Sequence, residues 1–100
     1  MPSWKKVIVS GSSAALPSIT HTGDFTLDVS GDITFDADGT DIFLKDNGTA
    51  FGRFKIDTSD FVIKSEINNK DIVFRGQDGG STITALTLDM SSGGDAQFRQ

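Results

Sequence analysis

The stretch Gly23–Asn47, GDFTLDVSGDITFDADGTDIFLKDN, writes one short phrase three times. Each copy runs Asp, apolar, variable, apolar, polar: Asp24-Phe25-Thr26-Leu27-Asp28, Asp32-Ile33-Thr34-Phe35-Asp36 and Asp41-Ile42-Phe43-Leu44-Lys45. Glycines at 23, 31, 39 and 48 punctuate them. The phrase returns as Asp60-Phe61-Val62-Ile63-Lys64 and Asp71-Ile72-Val73-Phe74-Arg75, with an imperfect echo at Asp95-Ala96-Gln97-Phe98. An internal repeat decides architecture before any single element is assigned. Alternation of apolar and polar residues with a period of two is the signature of a half-buried strand.

Working outward, the same alternation continues through Val29, Phe54 and Ile56, and Leu86, Leu88 and Met90. Asp38-Gly39, Asn47-Gly48, Asn68-Asn69, Asp78-Gly79-Gly80 and Gly93-Gly94 mark turns. No segment has the i, i+3, i+4 spacing of an amphipathic helix. The expectation is an all-β protein of short strands. A hairpin meander and a stack of repeats both fit such strands, and the recurrence of the phrase favours the stack, a solenoid or an intertwined β-prism-like or β-helix-like body. In a stack Phe25, Leu27, Ile33, Phe35, Ile42, Leu44, Phe61, Ile63, Ile72 and Phe74 form one apolar ladder. Coils this narrow enclose almost no core within one chain, so three chains about one axis are expected to share an interior, which also removes exposed strand edges.

The composition points the same way. The chain has 100 residues, 36% of them hydrophobic, which is little for one chain to build a core alone. There is no cysteine, hence no disulfide, thiolate metal site or cysteine nucleophile. No window reaches the ~18 apolar residues that span a bilayer, and the N-terminus lacks the apolar core of a signal peptide, so no membrane partner is expected. The formal net charge of −5 is concentrated in the acidic stretch around the repeats, and an acidic body speaks against nucleic acid, whose binding needs Lys and Arg against phosphates.

Three regions follow: residues 1–12 as a distinct opening, 13–22 as a small, polar linker around Pro17, and 23–100 as the repeat body. In the opening, Trp4, Lys5 and Lys6 precede an alternating Val7, Ile8, Val9, which reads either as a docking peptide with an aromatic anchor and two cations or as an ordinary first strand. His21 is the single histidine and has no Cys or second His beside it in the sequence, so it reads as a surface residue. Asp36-Ala37-Asp38-Gly39-Thr40-Asp41 imitates the start of a calcium loop, but Asn47 stands where an EF-hand needs its Glu, and an Asp-capped turn explains the pattern; no metal or cofactor is expected. Thirteen of the fourteen acids are Asp, a composition that invites a paired-carboxylate glycosidase, yet most recur at one place in the phrase, and no enzymatic activity is expected. Asn47-Gly48-Thr49 matches a glycosylation triplet by type and a turn by chemistry.

The opening Trp4-Lys5-Lys6-Val7-Ile8-Val9-Ser10-Gly11-Ser12, followed by Gly31-Asp32-Ile33-Thr34-Phe35-Asp36, Asp41-Ile42-Phe43-Leu44-Lys45-Asp46-Asn47-Gly48-Thr49 and Phe61-Val62-Ile63-Lys64-Ser65, resembles the tail-fibre-like virion structural proteins of tailed phages, especially those infecting cyanobacteria. The likeness runs from Ser3 to about Phe74. It implies a virion-attachment segment at Trp4–Val9, a trimeric shaft, other virion proteins of capsid or tail as partners, and a place on the particle exterior. Family members often carry long shafts and a distal tip; this chain, at 100 residues, offers no candidate tip. The expected function is therefore a short fibre or adaptor, with a capsid decoration protein at a three-fold position as the alternative. A glycan-binding module using Phe43, Phe51 or Arg53 is the rival of a different class.

Overall fold

The computed structural model describes Gly11 and residues 13–99. It divides into two compact units, Met1–Ile33 and Thr34–Gln100. Among the described residues every strand lies in the second unit: β1 (Asp41–Asp46), β2 (Thr49–Asp57), β3 (Asp60–Ser65), β4 (Ile72–Asp78), β5 (Ser81–Asp89) and β6 (Asp95–Phe98). The only helical element among them is one 3₁₀ turn, Met90–Ser92, so the all-β expectation holds.

These strands make two antiparallel sheets of three, β1-β2-β3 and β4-β5-β6. Each is a meander, not a stack, and the local chemistry of the turns is the reason. Asn47 and Gly48 have φ of 50° and 83°, and Gly79 and Gly80 have 57° and 89°. Two central residues at positive φ make the two-residue hairpin turn whose twist matches that of paired strands. A two-residue turn returns the chain beside the strand it just left, which forecloses stacking at that point. The β2–β3 turn is of the same kind but is built from Thr58 at φ 47° and Ser59 at φ 70°. Neither residue signals a turn of this type, and the turn is invisible in the sequence.

The two sheets are copies of one design. In the first, the register jumps between Leu44 and Lys45, which face Gly52 and Ala50 and leave Phe51 as the extra residue of a β-bulge. In the second, it jumps between Phe74 and Arg75, which face Leu86 and Thr84 and leave Ala85 extra. The bulge carbonyls are satisfied identically: Phe51 O accepts from Glu66 N at 3.1 Å, and Ala85 O accepts from Arg99 N at 2.9 Å. Asp41 opens β1 and Asp71 immediately precedes β4, the equivalent strand. The recurring phrase there marks a repeated three-stranded module, a larger unit than the eight- or nine-residue coil.

Two copies of the phrase depart from expectation. Phe25–Val29 and Ile33–Phe35 form no strand. If they folded on each other through Val29-Ser30-Gly31, Asp28 would face Asp32 and Asp24 would face Asp36. Like charges directly opposite one another destabilise a pair, and a lone two-stranded hairpin is marginal in water. The β2–β3 hairpin bears one such pair, Asp57 with Asp60, but β1 supports it as a third strand.

No described residue is buried. The two sheets do not close on a common core, because the substantial contacts of each strand are with its hydrogen-bonded neighbours in the same sheet. Ser65 Oγ donates to Lys70 O at 2.8 Å and Lys70 N donates to Ile67 O at 3.1 Å, which shapes the connection from β3 to β4.

Candidate interaction surface

In an antiparallel ladder, directly paired residues point to the same side. Ile42, Phe54 and Ile63 pair across the first sheet, as do Ile56 with Phe61, and Leu44 lies opposite Gly52. Ile42, Leu44, Phe54, Ile56, Phe61 and Ile63 therefore form one continuous apolar face. The Phe54 and Phe61 rings lie 6.1 Å apart and tilted by 36°, within the range of favourable aromatic pairs. Gly52 lies at its centre, where a Cβ would stand 3.4 Å from Lys64 O and 4.0 Å from Leu44 Cδ1.

The opposite face carries Asp41, Phe43, Arg53, Lys55, Val62 and Lys64. Arg53 organises it. Its Nη1 lies 3.2 Å from Asp41 Oδ1, its Nε faces Glu66 Oε1, and its guanidinium carbon stands 5.5 Å from the centre of the Phe43 ring. Lys64 Nζ approaches Glu66 Oε2 at 3.6 Å, and Lys45 Nζ stands 5.9 Å from the Phe43 ring centre. Asp41, Arg53, Lys64 and Glu66 are thus paired with one another. Ion pairs that keep contact with water contribute about 0.2–1 kcal/mol each, so their main effect is to order side chains.

Exposure is inverted between the two faces. Arg53, Asp41 and Lys55 are half-buried, whereas Phe61 is 75% exposed, Ile56 53% and Ile63 51%. The second sheet repeats the division into an apolar and a polar side, but its Ile72, Leu86 and Leu88 are half-buried. Ile72 pairs with Leu88 and Leu88 with Ala96, Phe74 with Leu86 and Leu86 with Phe98, all on one side; Val73, Thr87 and Gln97 share the other. Arg75 Nε donates to Thr84 Oγ1 at 3.3 Å and Gln77 Nε2 to Thr82 Oγ1 at 2.9 Å on the polar side. Phe98, at the edge, is 71% exposed.

Of the residues expected in one apolar ladder, the structure brings Ile42, Leu44, Phe61 and Ile63 together on the first sheet, and Ile72 and Phe74 on the second. Phe35 joins Ile42, Phe54, Ile56 and Phe61 around an open concavity at the turn end of the first apolar face. Phe25, Leu27 and Ile33 belong to no strand and are 57%, 54% and 48% exposed. Trp4, Lys5, Lys6, Val7, Ile8 and Val9 lie outside the described residues. Phe54 was legible as a strand residue, but its place at the centre of the face follows only from the register that the turns impose.

The other candidates resolve into local structure. Thr40 N donates to Ala37 O at 3.0 Å, closing a turn at Asp38-Gly39, and Asp41 is taken up by Arg53. Among the described residues no three His, Asp or Glu side chains converge as metal ligands would. Phe43 and Arg53 contact each other, and Phe51 is the bulge residue. Asp89 caps the 3₁₀ turn: its Oδ1 accepts from Ser91 Oγ at 2.6 Å and from Ser91 N at 3.0 Å. These bonds, the Ser91 hydroxyl foremost, hold its carboxyl below the ordinary value of 3.8. No helix among the described residues is long and apolar enough to cross a membrane.

In comparisons with known proteins, no family model, no curated protein and no solved structure matches the chain.

Proposed function

We propose that this chain is a non-enzymatic structural component of a phage virion, a short trimeric fibre-like or adaptor protein attached through Trp4–Val9 and carried on the outside of the particle. The observation that carries the reading is the open apolar face of the first sheet, whose Phe61, Ile56 and Ile63 are more exposed than Asp41, Arg53 and Lys55 behind them. Covering the exposed half of a Phe, Ile or Leu recovers about 1 kcal/mol. Five such residues on the first sheet alone, Leu44, Phe54, Ile56, Phe61 and Ile63, amount to about 5 kcal/mol, comparable to the whole stability of a small domain. A partner that covers these faces decides whether the body is stable, and copies of the same chain supply matching faces at matching heights.

The mechanism is mechanical. Strands bonded along their length around a closed apolar interior resist bending, and two modules in series extend that interior along the chain. The likeness of Trp4–Ser12 to phage attachment segments supports the virion as the place where such a body works. Deleting residues 1–12 tests the assignment: the shortened chain should assemble like the full chain yet be missing from purified particles. Particles that incorporate it at the full-length level would overturn attachment through this segment.

A further inference from the structure

We propose that Asp24–Asp36 of a second copy of this chain adds a strand to the β3 edge of the first sheet. This rests on the self-assembly reading above and names the piece of the partner that makes the contact. Three observations lead to it.

The segment has the composition of a strand and no strand to pair with. It carries the same phrase as β1, β3 and β4, but closing on itself would set Asp28 against Asp32 and Asp24 against Asp36. The parallel pairing of two such segments in register would also place Asp beside Asp. An antiparallel strand received from elsewhere replaces one of the two Asp–Asp pairs by an ion pair: with Phe25 opposite Ile63 and Leu27 opposite Phe61, Asp24 meets Lys64 and only Asp28 meets an acid, Asp60.

The first sheet is uncovered toward one edge. On its apolar face Ile42 is half-buried, while Leu44 and Phe54 are 39% and 37% exposed. Ile63 and Phe61, on the outer strand β3, reach 51% and 75%. A strand laid against β3 would set Phe25 and Leu27, or Ile33 and Phe35, beside these two residues and satisfy the outward backbone groups of β3.

One charge pair favours an antiparallel alignment. Alternation puts Asp24, Thr26 and Asp28 on one side of the added strand and Phe25 and Leu27 on the other. With the apolar side toward Phe61 and Ile63, the acidic side lies with Asp60, Val62 and Lys64, so that the end carrying Asp24 meets the lysine. Lys64, whose side chain is 48% exposed, is the cation of β3, and its contact with Glu66 Oε2 at 3.6 Å leaves it able to take a second carboxylate.

Hydrogen exchange of the full chain, followed against protein concentration, tests this. Amides of Phe25–Phe35 should exchange freely in dilute protein and become protected at least tenfold over the concentrations at which oligomers form. Those paired between β1, β2 and β3 should be protected throughout. Leu27→Asp, which lies outside every strand, should abolish the gain at Phe25–Phe35 without changing protection of β2. Free exchange of Phe25–Phe35 in fully assembled protein would overturn the proposal and leave self-assembly standing. Protection that is already present in the monomer would overturn it as well, by showing pairing within one chain or none that needs a partner. A chain that stays monomeric at every concentration would instead refute self-assembly, and this inference with it.

Discussion

At the scale of single residues, the chain uses Asp for three unlike tasks that the sequence writes alike. Asp41 pairs with Arg53, Asp57 and Asp60 close a hairpin, and Asp89 caps a turn. The last makes a titration prediction. The folded carboxyl of Asp89 lies below its ordinary value, so its contribution is complete above that value and is lost as the pH falls through the folded one. Melting followed by circular dichroism from pH 6 down to pH 3 should show the wild type losing more stability on acidification than Asp89→Asn, whose side chain keeps an acceptor but not the charge. Equal slopes would mean that the Ser91 bonds do not depend on the carboxylate. The role of Asp89 was hidden in the sequence because a cap is defined by the backbone around it, here the 3₁₀ turn Met90–Ser92, and not by the Asp itself.

At the scale of elements, the strands from Asp41 onward were readable because alternation of period two survives in any sheet that has one apolar face. Their pairing was not. The phrase repeats at eight or nine residues through Gly23–Asn47 and suggested a stack, whereas the hairpin turns fold the chain back at Asn47-Gly48 and Gly79-Gly80. Asn-Gly and Gly-Gly announce this; Thr58-Ser59 does not. A β-branched residue at φ 47° costs on the order of 1 kcal/mol against one suited to that region. Replacing Thr58-Ser59 by Asn-Gly should therefore stabilise the β2–β3 hairpin by about 1 kcal/mol and raise Tm by roughly 4–8 °C. A lower Tm would show that Thr58 and Ser59 make contacts in the assembled protein that outweigh the backbone cost. The two strand phrases that failed to form, Phe25–Val29 and Ile33–Phe35, show the limit of pattern reading. Alternation says that a segment suits a sheet, while facing charges decide whether its nearest neighbour in sequence can be the partner.

At the scale of the whole molecule, the sequence already implied that 100 residues with 36% hydrophobic content would struggle to enclose a core. The structure gives that shortage a location: the first sheet turns Ile42, Leu44, Phe54, Ile56, Phe61 and Ile63 to one side, and the second does the same with Ile72, Phe74, Leu86 and Leu88. Which apolar residues share a face could not be read from the chain, because each β-bulge slips the register by one residue and only the ladder fixes where it falls. Ile63 and its neighbour Val62 make the claim testable, since they are adjacent in sequence and on opposite faces of β3. The most direct measurement is the molar mass in solution by light scattering at micromolar concentration. The full chain should weigh three times its own 10.7 kDa, Val62→Asp should leave that mass unchanged, and Ile63→Asp should shift it toward a single chain. A wild-type protein that is stably folded at the mass of one chain would contradict the account.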